Sequence, residues 1–257
     1  MRKALICIFI LGSTFTIQGQ NLDSNYLENY QHLLTGRLYL SQKVTTYEYY
    51  PEDNSFDINY SPNTTLNLGI GATYQRLTLN LGYGFQFLNQ DEELGQTRYL
   101  DLQAHLSADK FILDFFGQFY RGFYLNQETP LPEGEYYTRP DIGVIMIGAN
   151  FQGIFNYKKY SMRSLLFQDE WQKKSAGSWL LGGQVFYTRG RSDSTIVPYF
   201  IEDERGLAQA INFAEIAIAP GYAHNFVIKK HFYIGFAFKL GLGVGVSNFE
   251  ESETEER

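Results

Sequence analysis

Two adjacent stretches of strict alternation constrain this chain more than anything else in it. From Thr64 to Tyr74, Leu66, Leu68, Ile70, Ala72 and Tyr74 share one face, and Asn67, Gly69, Gly71 and Thr73 share the other. Beyond Gln75 and Arg76, Leu77, Leu79, Leu81, Tyr83, Phe85 and Phe87 alternate with Thr78, Asn80, Gly82, Gly84 and Gln86. A period of two means a β-strand with one apolar and one polar face. Each arm runs about 11 residues, against about 5–6 for strands of soluble domains. A tilted strand that crosses a bilayer needs about 9–11. The two arms therefore predict a hairpin in the wall of a membrane barrel.

The same pattern recurs along the chain. Further strands are predicted over 34–49, 98–106, 111–125, 142–155, 160–172, 178–189, 213–226 and 232–246, ten in all with the hairpin. On 98–106, Leu100, Leu102, Ala104 and Leu106 face outward against Tyr99, Asp101, Gln103 and His105. The fold class expected is all-β, an antiparallel transmembrane β-barrel of roughly 10–12 strands, with closure at the C-terminus left open. Composition agrees, with 20 Tyr, 21 Phe and 24 Gly but 7 Pro. The mean hydropathy of −0.28 conceals the pattern, because alternating strands average to neutral. No apolar run beyond the leader reaches the length of a spanning helix.

Turns and loops give the wall two sides. Tight turns at 75–76, 107–110 and 156–159 alternate with longer loops up to the seventh strand, the habit of outer-membrane barrels. If 160–172 and 178–189 both span, the long loop 191–211 and the tight turn 228–231 change sides. Either one strand in 160–189 is not a wall strand, or the long loop hides a short one. Tyr47, Tyr49, Tyr120, Tyr124, Tyr157, Tyr160, Trp171, Trp179 and Tyr233 crowd the strand ends, where an aromatic girdle belongs.

Ahead of the wall stand a basic Met1-Arg2-Lys3, an apolar run from Ala4 to Leu11 and a small-residue stretch to Gly19, the layout of a secretory signal peptide. Cleavage is expected between Gly19 and Gln20. It would remove Arg2, Lys3 and the single cysteine, Cys7, taking the net charge from −7 to −9. The exported chain would carry neither disulfides nor thiol chemistry, and its acidic balance argues against nucleic acid. The organisation expected is a signal peptide over 1–19, a periplasmic lead-in over 20–33, a β-barrel domain over 34–249 and an acidic tail over 250–257, with the outer membrane as destination.

The candidates for chemistry are inward-facing polar residues, with Lys173 and Lys174 at a loop. Asp101, His105, Asp114, Gln118, Arg163 and Glu170 form the expected lumen cluster, and a carboxylate beside a histidine suits acid–base work or a metal. No HExxH, GxSxG or phosphate-binding loop accompanies them. Small barrels fill their interiors with paired polar side chains, and that reading is preferred. Neither catalytic nor metal-binding nor cofactor-binding residues are assigned. Arg139-Pro140-Asp141 and the stretch 172–178 are read structurally, Pro140 as the start of a strand and Ala176-Gly177 as a turn.

The segments NTTLNLGIGATY (63–74), LTLNLGYGFQFLN (77–89), FGQFYRGFY (116–124), YYTRPDI (136–142) and EWQKKSAGSWLLGG (170–183) resemble the domain of unknown function 4421 family. The resemblance runs from about Tyr26 to Val246 and implies an exported Bacteroidetes outer-membrane barrel, with no activity, substrate or catalytic residue to transfer. It also implies further strand sequence where this chain reaches its acidic tail, so either the barrel is incomplete there or the last strand pairs with the first. The function expected is an outer-membrane barrel of structural, small-channel or surface-binding role. The rivals are an outer-membrane enzyme acting on lipid or lipopolysaccharide, and a soluble secreted β-barrel binder. The partners expected are outer-membrane lipid and the barrel-assembly machinery, with the small-molecule ligand unknown.

Overall fold

The computed structural model describes residues 22–42, 46–49, 58–64, 66–85, 92–126, 136–198, 208–229 and 232–251. The expected signal peptide over 1–19, the expected Gly19–Gln20 junction, Cys7 and residues 252–257 lie outside them. The described chain is all-β with one short helix. Its strands are β1 (Leu27–Asn29), β2 (Thr35–Ser41), β3 (Tyr47–Tyr49), β4 (Ile58–Ser61), β5 (Asn67–Tyr74), β6 (Leu77–Tyr83), β7 (Arg98–Ser107), β8 (Phe111–Leu125) and β9 (Thr138–Ile154). After helix α1 (Met162–Leu166) come β10 (Glu170–Gln172), β11 (Ala176–Arg191), β12 (Ala208–Ile228), β13 (Phe232–Lys239) and β14 (Leu242–Glu251).

One antiparallel sheet forms the wall, in the order β13-β12-β11-β9-β8-β7-β6-β5-β2. β14 extends β13 along the same partner, and β12 pairs with both in one unbroken register from Gly221–Lys239 to Ile218–Leu242. The gap between them falls opposite Pro220. Leu240 N–H donates to the Pro220 carbonyl at 3.0 Å, but proline has no N–H to return the bond. Among the described residues the sheet does not close on itself.

Facing follows the alternation. On β5 and β6, Asn67, Gly69, Thr73, Thr78 and Gly82 are buried, and Leu68, Ile70, Leu77, Leu79 and Leu81 are exposed. The exposed apolar belt continues through Leu102, Phe115, Phe119, Ile145, Ile147, Phe151, Leu181, Val185, Ile216 and Ile218. A soluble sheet of this size would bury that face. The inward glycines of the hairpin receive side chains from across the sheet. The Tyr39 ring lies flat over Gly69, where a Cβ would overlap it, and Asn80 Oδ1 occupies the space a Cβ on Gly71 would need.

The expected strand at 160–172 does not form. Ser161 caps α1 by accepting from Ser164 N–H at 2.9 Å, and Gln168 adopts a left-handed turn at φ 58°. β10 then pairs with β1 outside the wall. Three short residues of strand cannot span, and with 155–175 removed from the wall the sidedness is regular. The turns at 75–76 and 108–110, the connection between β12 and β13, the segment 155–175 and the N-terminal segment share one end, and the connections between β2 and β5, β6 and β7, β8 and β9, and β11 and β12 share the other. We call these the short-turn and long-loop ends.

Candidate functional site

The interior is built in three layers. At the long-loop end, β4 folds back to pair with the end of β8, Tyr60 opposite Leu125. Ile58, Tyr60, Tyr99, Tyr120, Phe123, Leu125, Ile142, Val144, Ile196 and Val197 form a buried cluster there, with Tyr60 Oη donating to the Ile196 carbonyl at 2.7 Å. A bulge aims Phe123 into it. The β8–β9 register shifts between Arg121 and Phe123, and Gly122 sits at φ +92° with its α-carbon against the Gln96 carbonyl. Arg139 straps the layer down. It donates to both Asp141 oxygens at 2.8 Å, to the Thr195 carbonyl at 2.9 Å and to Ser194 Oγ at 2.9 Å. Pro140 lies in the first residues of β9, near the strand start expected of it, whereas Ala176 and Gly177, expected to turn, open β11.

The short-turn end is closed by α1 and β10. The Arg163 guanidinium, 2 % exposed, donates to the Ser107 carbonyl at 2.7 Å and the Gln75 carbonyl at 2.6 Å, and also to Ser107 Oγ and Asp169. One side chain thus ties the β5–β6 turn, the end of β7 and the plug. Gln172, fully buried, donates to the carbonyls of Lys159 and Lys174 and accepts from Ser161 N–H at 3.0 Å. Asn225 of β12 donates to the Ser161 carbonyl and to Ser164 Oγ, both at 3.0 Å. Ile112, Ile154, Tyr160, Met162, Phe167 and Leu180 pack beneath. Glu170 accepts from Gln31, Asn29 and Ser161, with Arg163 Nε 3.7 Å away. Burial pushes its carboxyl above the ordinary 4.5, against the opposing pull of the Ser161 hydroxyl and Arg163.

Between the ends runs a polar row across the sheet. Asn80 Nδ2 lies 3.1 Å from His105 Nε2, His105 Nδ1 lies 2.7 Å from Asp114 Oδ1, and Asn150 Nδ2 donates to Asp114 Oδ2 at 2.9 Å. The row continues to Thr73 and Thr78, whose hydroxyls are 2.9 Å apart, with Arg37 donating to Thr73 at 3.0 Å. Asp101, facing Gln118 in register, accepts from Gln103 at 3.0 Å.

Of the six residues expected to cluster, the structure brings His105 and Asp114 into contact and sets Asp101 beside Gln118 in the same wall. Arg163 and Glu170 lie apart from these four, in the plug, Arg163 on α1 and Glu170 at the start of β10. Sequence reasoning missed Asn80, Asn150, Asp169 and Asn225. Asn80 was legible as an inward residue of the hairpin. Asn225 was not, since its partners come from a segment read as strand.

An Asp-oriented histidine is the base half of a nucleophilic site, which also needs a nucleophile at the other ring nitrogen. Here that nitrogen faces the Asn80 amide, and the ring packs 5.4 Å from Phe167 of the plug. Among the described residues no group of three or more His, Cys, Asp or Glu could hold a metal ion, and no helix is long and apolar enough to cross a membrane. On the outside, at the short-turn end, Trp179 meets Tyr222 at 5.2 Å between centroids, and His224 and Phe236 lie within 6.0 Å of Phe226. Tyr120 and Tyr160, expected in the girdle, instead point into the two buried clusters.

A single antiparallel sheet with an apolar outer face, a polar inner row and a folded plug defines an all-β wall protein with a filled interior. The chain belongs to the family described as domain of unknown function (DUF4421), whose model matches residues 21–257. No curated protein and no solved structure matches it.

Proposed function

We propose that this is an outer-membrane β-barrel whose interior is sealed at both ends, serving as a structural or surface-binding protein that presents its long-loop end. One observation carries the reading: large apolar residues stand exposed along every strand of the wall, while the opposite face holds Asn, Thr, Asp, His and Gln. In water that belt is a liability, and in hydrocarbon it is the stable arrangement. The Trp179–Tyr222 group fits the headgroup level, and the family match begins two residues past the expected signal junction. Lipid and the barrel-assembly machinery are the partners this implies. Among the described residues, clusters at both ends and a hydrogen-bonded row between them cover the inner face, which favours structure or binding over a small channel.

Cell fractionation tests the location. The protein is expected in the detergent-extracted membrane fraction, and recovery in the soluble periplasmic fraction would overturn the reading. The His105–Asp114 pair is the one observation on the side of an outer-membrane lipid hydrolase. That alternative requires purified protein to hydrolyse lipid and to lose the activity on His105→Ala; the account here expects no hydrolysis in either.

A further inference from the structure

Arginines on the outer face of the wall gather at one level. Alternation turns Arg98 of β7, Arg121 of β8 and Arg189 and Arg191 of β11 outward, and all four stand at the long-loop end. Register sets three of them in one row across the sheet: Arg98 opposite Arg121, Arg121 opposite Gly143, and Gly143 opposite Arg191. Inward arginines of the wall are taken up by the protein itself, Arg37 at Thr73 and Arg139 at Asp141. The chain as a whole is acidic, at −7, so composition does not account for the row.

Two features of the row suit an anion. Arg98, Arg121 and Arg191 are exposed, and among the described residues their guanidinium groups make no hydrogen bond or ion pair. Like charges directly opposite on neighbouring strands repel, and no carboxylate is free to offset the Arg98–Arg121 pair. Asp141, two residues ahead of Gly143, accepts from Arg139 at both oxygens, each at 2.8 Å. Glu250 accepts from Arg189 at 2.9 Å and from Asn212 at 2.8 Å. The other feature is the floor that Gly143 makes between Arg121 and Arg191. A Cβ there would meet only the Tyr120 carbonyl, at 3.7 Å, so no side chain fills the space above it. Each arginine stands one strand spacing, about 4.8 Å, from that floor. One tetrahedral anion above Gly143 is within reach of both.

The next outward row toward the middle of the wall is Leu100, Phe119 and Ile145 in register, with Phe119 and Ile145 exposed. A soluble anion would leave that apolar row uncovered, whereas a lipid lays an acyl chain on it while its headgroup meets the arginines. We propose that Arg121 and Arg191, above Gly143 and with Arg98 beside Arg121, bind the terminal phosphate of an anionic lipid in the leaflet at the long-loop end. Each guanidinium presents a planar fork of N–H donors that matches two phosphate oxygens. The inference rests on the membrane reading and gives the wall a specific lipid chemistry.

The test titrates the full chain, folded in detergent micelles, with phosphatidic acid or phosphatidylcholine and counts bound lipid by native mass spectrometry. A one-to-one adduct with phosphatidic acid is expected, and phosphatidylcholine, whose phosphate is capped by choline, should be retained far less. Arg121→Gln and Arg191→Gln should each weaken the phosphatidic acid adduct about fivefold, while Arg76→Gln, in the β5–β6 turn at the opposite end, should leave it unchanged. Gly143→Val keeps every charge but fills the floor, and should weaken the adduct as well. Equal retention of the two lipids would overturn the proposal, as would equal losses in Arg121→Gln and Arg76→Gln. An unchanged adduct in Gly143→Val would replace the site by diffuse surface charge, and displacement of the lipid by inorganic phosphate would replace it by a site for a free anion. The wild-type comparison of the two lipids and inorganic phosphate decides even where a variant does not fold. Insertion of wild type into phosphatidylcholine vesicles is scored separately, and its failure would count against the membrane reading itself.

Discussion

Replacing Ile70 by Arg separates a membrane wall from a soluble sheet, because the two environments predict different outcomes at one residue. Ile70 stands at the middle of β5, 55 % exposed, in an outward line with Leu38, Leu81 and Leu102. In water a surface substitution of this kind changes stability by no more than about 0.5 kcal/mol. Near the midplane of a bilayer an arginine on the lipid face costs about 2–4 kcal/mol. With a guanidinium slope of about 4 kcal/mol per molar, that loss lowers the unfolding midpoint by ~0.5–1 M. The control is Gln103→Arg, on the inward face beside Asp101, where the new charge meets a carboxylate and the shift should be well under half as large. The assay is guanidinium unfolding of vesicle-reconstituted protein followed by tryptophan fluorescence. An Ile70→Arg midpoint equal to wild type, or to Gln103→Arg, would refute the facing argument.

Three other outcomes follow from the interior. Arg163→Ala leaves Asp169 buried without its guanidinium and cuts the ties to Ser107 and Gln75, so unfolding stability should fall by about 3–5 kcal/mol; a loss comparable to a surface substitution would mean the plug is not fastened there. Gly122→Ala forces a Cβ onto a left-handed residue and into the Gln96 carbonyl, and should cost about 1–3 kcal/mol, read as a lowered midpoint with the bulge disrupted. Glu170 has a raised pKa in the fold, so the folded state binds more protons than the unfolded chain above the ordinary 4.5. Its contribution is complete below that value and is lost as pH rises through the folded pKa. Glu170→Gln should flatten that decline, measured as midpoint against pH, and an unchanged slope would contradict the assignment.

How much of this was legible in the sequence depended on whether a residue's neighbours came from its own hairpin. Alternation placed β5 to β8 nearly to the residue, because facing in a half-buried strand is fixed locally by a period of two. Leu165 to Gln172 misled it. That stretch mixes apolar and polar residues as a strand would, yet Ser161 caps a helix and Gln172 and Arg163 find partners in turns distant in sequence. Pro220 likewise interrupts a ladder without interrupting the strand that carries it. His105 and Asp114 were visible as inward residues on neighbouring strands, and their contact follows from the register set by the turn at 108–110. The strap from Arg139 to the segment after β11 was not visible, since nothing in a loop's sequence states which strand end it returns to.

The most direct test of the proposed membrane-embedded wall uses the chain's two tryptophans, which the fold sends to different places. Trp179 is 69 % exposed on the outer face beside Tyr222, and Trp171 lies in β10 within the plug. In vesicles of lipid brominated along the acyl chains, the Trp171→Phe variant, reporting Trp179 alone, should be strongly quenched, and the Trp179→Phe variant, reporting Trp171, much less so. Equal quenching of the two, or no quenching of Trp179, would contradict a wall with lipid outside and a folded plug within.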